Sequence, residues 1–193
     1  MQALAAPLPT LRDAALPASG VPGRAVEALA FSALISLGAQ LELRLPFTPV
    51  PITGQTFGVL LAGLLLGPRW GTLSAALYVM EGASGLPVFA GGAAGAAHLV
   101  GPSGGYLAAF APAAWLTGRL AGRGWDRSAP AAAAALLCGS AVILAGGLLN
   151  LARFVPLSQL LAAGLWPFLP GDAVKAALGA AVLPWAWRRL GRR

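Results

Sequence analysis

Long apolar runs separated by short polar or proline- and glycine-rich stretches dominate this chain. Six runs stand out, at about 25–43, 55–66, 70–83, 104–120, 130–151 and 171–190. Each predicts a membrane-spanning helix, for which about 20 apolar residues suffice. The second and third runs are short for a bilayer, so their ends either extend into the flanking loops or are covered by neighbouring helices. Residues 1–23 are rich in Ala and Pro, with Arg12 and Asp13 in the middle. They lack the positive segment and apolar core of a signal peptide. The pattern therefore predicts a disordered or surface-lying cytoplasmic leader over 1–23 and a six-helix membrane domain over 24–193, an all-α integral membrane protein.

The segments between the runs are unequal. Loop 85–103 is glycine-rich and almost uncharged, too apolar for an ordinary solvated connection. Non-helical backbone at membrane depth persists only where protein or a cavity covers it. This loop is therefore expected to dip inward and line a pocket. Loop 46–54 ends in Val50-Pro51-Ile52-Thr53-Gly54-Gln55-Thr56, a proline-bracketed polar stretch feeding the second apolar run. Thr53, Gln55 and Thr56 then stand at a helix mouth, where unpaired backbone N–H groups and side-chain hydroxyls and amides can meet a ligand.

Composition confirms the membrane class. The 193 residues are 58% hydrophobic and only 10% charged, with mean hydropathy +0.75. A soluble domain carries about 25% charged residues. The net charge of +7 does not indicate nucleic acid, because the basic residues lie between or beyond the apolar runs. With six spans, Arg12, Arg24, Arg69, Arg119, Arg123, Arg127, Arg188, Arg189, Arg192 and Arg193 share one side. Only Arg44 and Arg153 fall on the other, and Lys175 lies within the sixth run. Arginine-rich loops stay cytoplasmic and meet anionic lipid. Both termini are thus expected in the cytoplasm of a multi-pass protein of a bacterial-type plasma (inner) membrane. The single cysteine, Cys138, sits in an apolar run and reads as a packing residue.

Candidate chemistry is sparse. Asp172 and Lys175 open the sixth run, and their i,i+3 spacing puts both on one helical face. Ionisable residues within spans are costly and are usually paired or functional. The pair either satisfies itself at the helix start or presents an acceptor and a cation to a polar ligand. Asn150 supplies an interhelical hydrogen bond or a ligand contact. Glu81 is a rim residue or a partner of Arg44 or Arg153. Tyr106 and Phe89 are candidate pocket walls. Ala28, Ser32 and Ser36 form a small-residue stripe, which serves internal packing or docks a partner subunit. Gly101-Pro102-Ser103-Gly104-Gly105 matches G-x-S-x-G, but His98, the only histidine, lies on the same glycine-rich segment, which makes a poor nucleophile–base pair. P-loop, zinc-protease and C-x-x-C motifs are absent. No enzyme activity, metal or cofactor is expected, and uphill transport would draw on a partner or an ion gradient.

Three stretches strongly resemble the BioY family. They are Val50–Thr56 with Leu60-Leu61-Ala62-Gly63-Leu64-Leu65-Leu66-Gly67-Pro68, then Gly85-Leu86-Pro87-Val88-Phe89-Ala90-Gly91-Gly92, then Gly101-Pro102-Ser103-Gly104-Gly105-Tyr106-Leu107. The resemblance covers roughly residues 25–190, with Ser103 where Thr is expected. It implies the S-subunit fold of energy-coupling factor (ECF) transporters, with biotin as ligand held near the outer face beneath the first and third loops. It implies as partners a transmembrane coupling subunit and a pair of ABC-type ATPases, with the S subunit toppling in the membrane to release its vitamin. The family's acid–lysine pair matches Asp172 and Lys175. Loop 85–103 holds no arginine for the biotin carboxylate, so backbone N–H groups near Gly91, Gly92 and Ser103 are the expected substitutes. Gln55, Thr53 and Asn150 would add neutral hydrogen bonds. A stand-alone secondary transporter or channel for a small polar, vitamin-like solute is the alternative. It predicts charges along a continuous path, whereas the candidates here cluster at one end.

Overall fold

The computed structural model describes residues 8–16 and 20–190. Its helices are α1 (Leu11–Ala15), α2 (Val21–Gln40), α3 (Gln55–Ala83), α4 (Ala97–Val100), α5 (Gly104–Ala108), α6 (Phe110–Ala121), α7 (Ala129–Leu151), α8 (Leu160–Gly164) and α9 (Leu169–Leu190). Two short antiparallel strands, β1 (Glu42–Leu43) and β2 (Ile52–Thr53), pair Glu42 with Thr53 and Leu43 with Ile52. By length and composition α2 and α7 each suffice to cross a membrane, and the 29 residues of α3 are as apolar.

α3 is a hairpin of two limbs. Gly67 takes φ 83° and breaks the helix, and Pro68 starts the second limb. Glycine adopts this left-handed geometry at no steric cost, and proline suits a first helical turn. The second limb returns along the first. A Cβ on Gly71 would lie 2.6 Å from both Ala62 O and Gly63 Cα. Further out, the Tyr78 hydroxyl donates to Gln55 Oε1 at 2.5 Å. The limbs, 55–66 and 68–83, are the predicted second and third spans. At 1.5 Å rise per residue they run about 18 and 24 Å, short of the ~30 Å hydrocarbon core. With α2, α5–α6, α7 and α9 they make six passes among the described residues.

The first span differs from expectation. The helix covers Val21–Gln40 rather than 25–43, because Leu41 leaves helical geometry and residues 42–43 join the β ribbon. The Gln40 amide contributes to the stop by donating to Phe89 O at 3.2 Å. Ala28 and Ser32 are fully buried and α2 packs chiefly on α3. The Ser32 hydroxyl donates to Glu81 Oε2 on α3, and the half-buried Ser36 donates to Ser32 O at 3.0 Å. Ala28 and Ser32 of the small-residue stripe are therefore used for packing within the chain, the first of the two expected roles, while Ser36 stays half-buried. The same hydrogen bond corrects the pairing expected for Glu81, which meets neither Arg44 nor Arg153.

Part of the stretch read as a leader is folded. Thr10 and Asp13 form a capping box at the start of α1. Arg12 is buried and pairs with Glu27 of α2, while Arg24 pairs with Asp13. The Leu8 amide donates to Gly122 O at 2.9 Å, tying this segment to the α6–α7 connection.

The tightest packing lies between α3 and α6 at that same end. A Cβ on Gly63 would overlap Thr117 Oγ1 and Ala114 O, and one on Gly118 would overlap the Gly67–Pro68 backbone. The fully buried Thr117 hydroxyl sits 3.1 Å from both Ala113 O and Ala114 O.

Candidate functional site

At the opposite end the bundle opens into a cavity of about 590 Å³. Its walls come from both limbs of α3, from α5–α6 and from α7. Loop 41–54 and loop 85–103 close over it, so the apolar third loop does line a pocket. Tyr78, Phe89 and Phe110 form one aromatic wall, with Tyr78 edge-on to Phe89 at 5.6 Å and stacked with Phe110 at 6.1 Å. Tyr106 and Phe168 form a second, 5.6 Å apart. The Tyr106 hydroxyl donates to Gly164 O at 2.8 Å, which leaves only its ring for the cavity.

The charged part of the site is deep. Ser140 is the twelfth of the 23 residues of α7, and its hydroxyl donates to Asp172 Oδ2. Asp172 lies in the first turn of α9, so α9 begins about half way down α7. Lys175 follows one turn later, its Nζ 3.3 Å from Asp172 Oδ1 and 2.6 Å from Thr56 Oγ1, to which it donates. The two side chains are 8% and 15% exposed. One acid–base pair thus joins α3, α7 and α9, and both members line the cavity.

Most of the expected site residues converge here. Thr53, Gln55, Phe89, Ser103, Tyr106, Asp172 and Lys175 all line the cavity. With its oxygen occupied by Tyr78, Gln55 keeps its amide N–H donors for the interior. Asn150, Gly91 and Gly92 do not line it. The Asn150 amide donates to Gly101 O at 2.9 Å and so holds the end of loop 85–103 rather than facing a ligand. Gly91 and Gly92 take φ 65° and 72°, the left-handed turn that folds the loop over the cavity.

Arg44 is not among the ligand contacts expected from the sequence. It stands on the other loop, yet a Cβ on Gly91 would overlap its guanidinium, so an arginine from beside β1 reaches loop 85–103. It pairs with Glu42 at 2.9 Å, its side chain is 71% exposed, and both residues line the cavity. Ser140, Tyr78, Phe110 and Phe168 were also missed. They sit in apolar runs, where sequence offers no sign of which face meets a cavity.

Comparison with known proteins agrees with this architecture. The family model described as "BioY family" matches residues 14–192. A probable biotin transporter BioY of Pyrococcus horikoshii is 46% identical over 147 residues, covering 76% of this chain and 85% of the relative. The biotin transporter BioY of Thermotoga maritima is 39% identical over 158 residues, covering 81% and 91%. A crystal structure of the S-component for biotin from an ECF-type ABC transporter superposes with TM-score 0.74 at 31% identity, covering 91% of this chain and 96% of that one. Family match, relatives and fold agree, and the chain belongs to the BioY family.

Proposed function

We propose that this protein captures biotin and serves its uptake as the substrate-binding S subunit of an ECF-type ABC transporter. The buried Asp172–Lys175 pair carries the reading, because it stands in an aromatic-walled cavity inside a membrane protein. Biotin presents two ureido N–H donors, a ureido carbonyl, an apolar bicycle and chain, and a carboxylate. Asp172 accepts from the ureido N–H groups, and Lys175 donates to the ureido oxygen. Gln55, Thr53 and Ser103 supply neutral contacts, and the rings of Phe89 and Tyr106 cover the apolar bicycle. Arg44, at the mouth, is the cation placed for the carboxylate, since a guanidinium matches that group in two parallel hydrogen bonds.

A coupling subunit and an ATPase pair complete the transporter in this reading, and the chain itself contributes no ATP site. The arginine asymmetry supports cytoplasmic termini in a bacterial-type inner membrane. Arg192 and Arg193 lie outside the described residues, and the others counted on that side stand at the end opposite the cavity. Calorimetry on the purified protein tests the proposal, with biotin, desthiobiotin, biotin methyl ester and thiamine as ligands. Tight binding of biotin, weakened by esterification and absent for thiamine, is expected. A folded protein that binds no biotin would refute it.

A further inference from the structure

Of the six acidic residues in the chain, three lie at the end opposite the cavity, and all three are engaged. Asp13 and Glu27 pair with Arg24 and Arg12. Asp126 is buried and accepts from Trp187 Nε1 at 2.7 Å. The exposed arginines at this end, Arg69, Arg119, Arg123, Arg127, Arg188 and Arg189, make no ion pair among the described residues. Apart from Arg127, whose charge acts on the neighbouring Asp126, these arginines have no acidic partner among the described residues.

Three of them lie against indole rings. Arg119 sits 5.3 Å from the Trp115 centroid, Arg127 4.4 Å from Trp187 and Arg189 5.4 Å from Trp185. Trp115 and Trp185 are themselves about half exposed, at 49% and 52%. They stand on the outward faces of two spanning helices, so in a bilayer they face lipid. Tryptophan prefers the boundary between headgroup and hydrocarbon. A guanidinium held over such a ring has its position set at headgroup depth and can still offer N–H donors to two oxygens of a phosphodiester.

We infer that this arginine–tryptophan collar binds the phosphodiester headgroups of anionic phospholipids in the leaflet it meets, independently of which solute fills the cavity. The pairs are spread over α6, the α6–α7 connection and α9 rather than gathered in one groove. That distribution suits many small ligands around a perimeter better than one protein partner.

Native mass spectrometry on the full chain, with equal phosphatidylglycerol and phosphatidylcholine in the micelle, tests this. Each surface arginine near anionic lipid contributes about 1 kcal/mol, about a fivefold preference. Wild type should therefore retain phosphatidylglycerol over phosphatidylcholine, and R119Q/R127Q/R189Q should lose most of that preference. R153Q, an exposed arginine at the cavity end, should keep it. Soluble glycerol phosphate at the lipid's concentration should not be retained, because the indole depth is no use to it. If the triple variant fails to fold, R119Q and R189Q singly, neither of them part of the Asp126–Trp187 hydrogen bond, should each lose about fivefold. Equal retention of the two lipids by wild type overturns the inference and leaves the collar to an acidic protein surface. So does a loss in R153Q as large as in the triple variant, or single variants with no loss.

Discussion

Neutralising the Asp172–Lys175 pair separates its ligand role from its structural one. Asp172→Asn keeps the shape and an acceptor for Ser140, but it strips Lys175 of its counter-charge 3.3 Å away. An exposed pair of this kind is worth less than about 1 kcal/mol. Breaking a fully buried one costs about 3–5 kcal/mol. At 8% and 15% exposure on a cavity wall, this pair lies between, and each single change, Asp172→Asn or Lys175→Met, should destabilise by about 2 kcal/mol. The double variant carries neither charge, so most of that stability should return. Binding should not. A hydrogen bond to a charged group contributes about 1.5–3 kcal/mol, so Asp172→Asn should weaken biotin about tenfold to a hundredfold. The double variant should bind no better. Thermal unfolding and calorimetry in detergent measure the two quantities on the same samples. Wild-type affinity in folded Asp172→Asn, or recovery of affinity together with stability in the double variant, would refute the assignment of the pair to the ligand.

Arg44→Gln should weaken biotin about tenfold while leaving biotin methyl ester unchanged, as calorimetry with both ligands would show; equal loss for both would remove Arg44 from the carboxylate. Asp126 should impose a pH dependence on folding. Its burial raises its carboxyl above the ordinary value, against the opposing Trp187 hydrogen bond. The folded state then holds the proton more tightly than the unfolded one, so stability falls as pH rises from the ordinary carboxylate range through the raised value. Asp126→Asn keeps the Trp187 partner and should flatten that fall in melting curves taken from acid towards neutral pH. Gly63→Ala should cost about 3 kcal/mol, because the new methyl meets the Ala114 carbonyl on the backbone of α6, which cannot rotate away; a melting temperature near wild type would show that α3 and α6 separate more easily than their packing implies.

The helical passes were readable because span hydropathy needs only local composition. The separation of the second and third runs was readable too, but that they form one hairpin turning at Gly67 and Pro68 was not. The end of α2 was not. Leu41 and Leu43 continue the apolar run, yet they belong to a turn and a strand whose partner, β2, lies beyond the loop. The Asp172–Lys175 pair announced itself through its i,i+3 spacing. Its supports were less legible: Ser140, 32 residues from Asp172, resembles an ordinary small residue of an apolar helix, and Thr56, legible as a residue of the helix mouth, lies 119 residues from the lysine it supports. Arg44 was only partly legible, for a related reason. It was counted as a topology signal, while the carboxylate partner was sought only within the loop that covers the cavity. Two loops fold over one mouth, and sequence order does not reveal which side chain of one reaches across to the other. Asn150 illustrates the converse. A polar residue near the cavity end looked available to a ligand, but the backbone of loop 85–103 had already claimed its donors.

The two ends of the bundle make opposite demands on a solute. Around the cavity the chain places its acid–base pair, its free amide donors and its aromatic rings, beneath two loops, one of which turns on positive-φ glycines. Towards the other end, α3 and α6 approach until no Cβ fits at Gly63 or Gly118, the two limbs of α3 meet as closely at Gly71, and Thr117 satisfies its hydroxyl on helix carbonyls alone. Passage straight through would have to part this contact and expose backbone carbonyls to a path with no polar lining. A dense, glycine-mediated contact of this kind is stabilised by being closed. Entry and exit through the one mouth avoid that cost, provided the mouth itself changes sides of the membrane. Short α3 limbs favour such a movement, because a hairpin that does not span the hydrocarbon core holds the body to one orientation less firmly than six full-length helices would. The same packing bears on the alternative of a stand-alone channel: its conducting path would have to run through the α3–α6 contact, where no Cβ fits at Gly63 or Gly118.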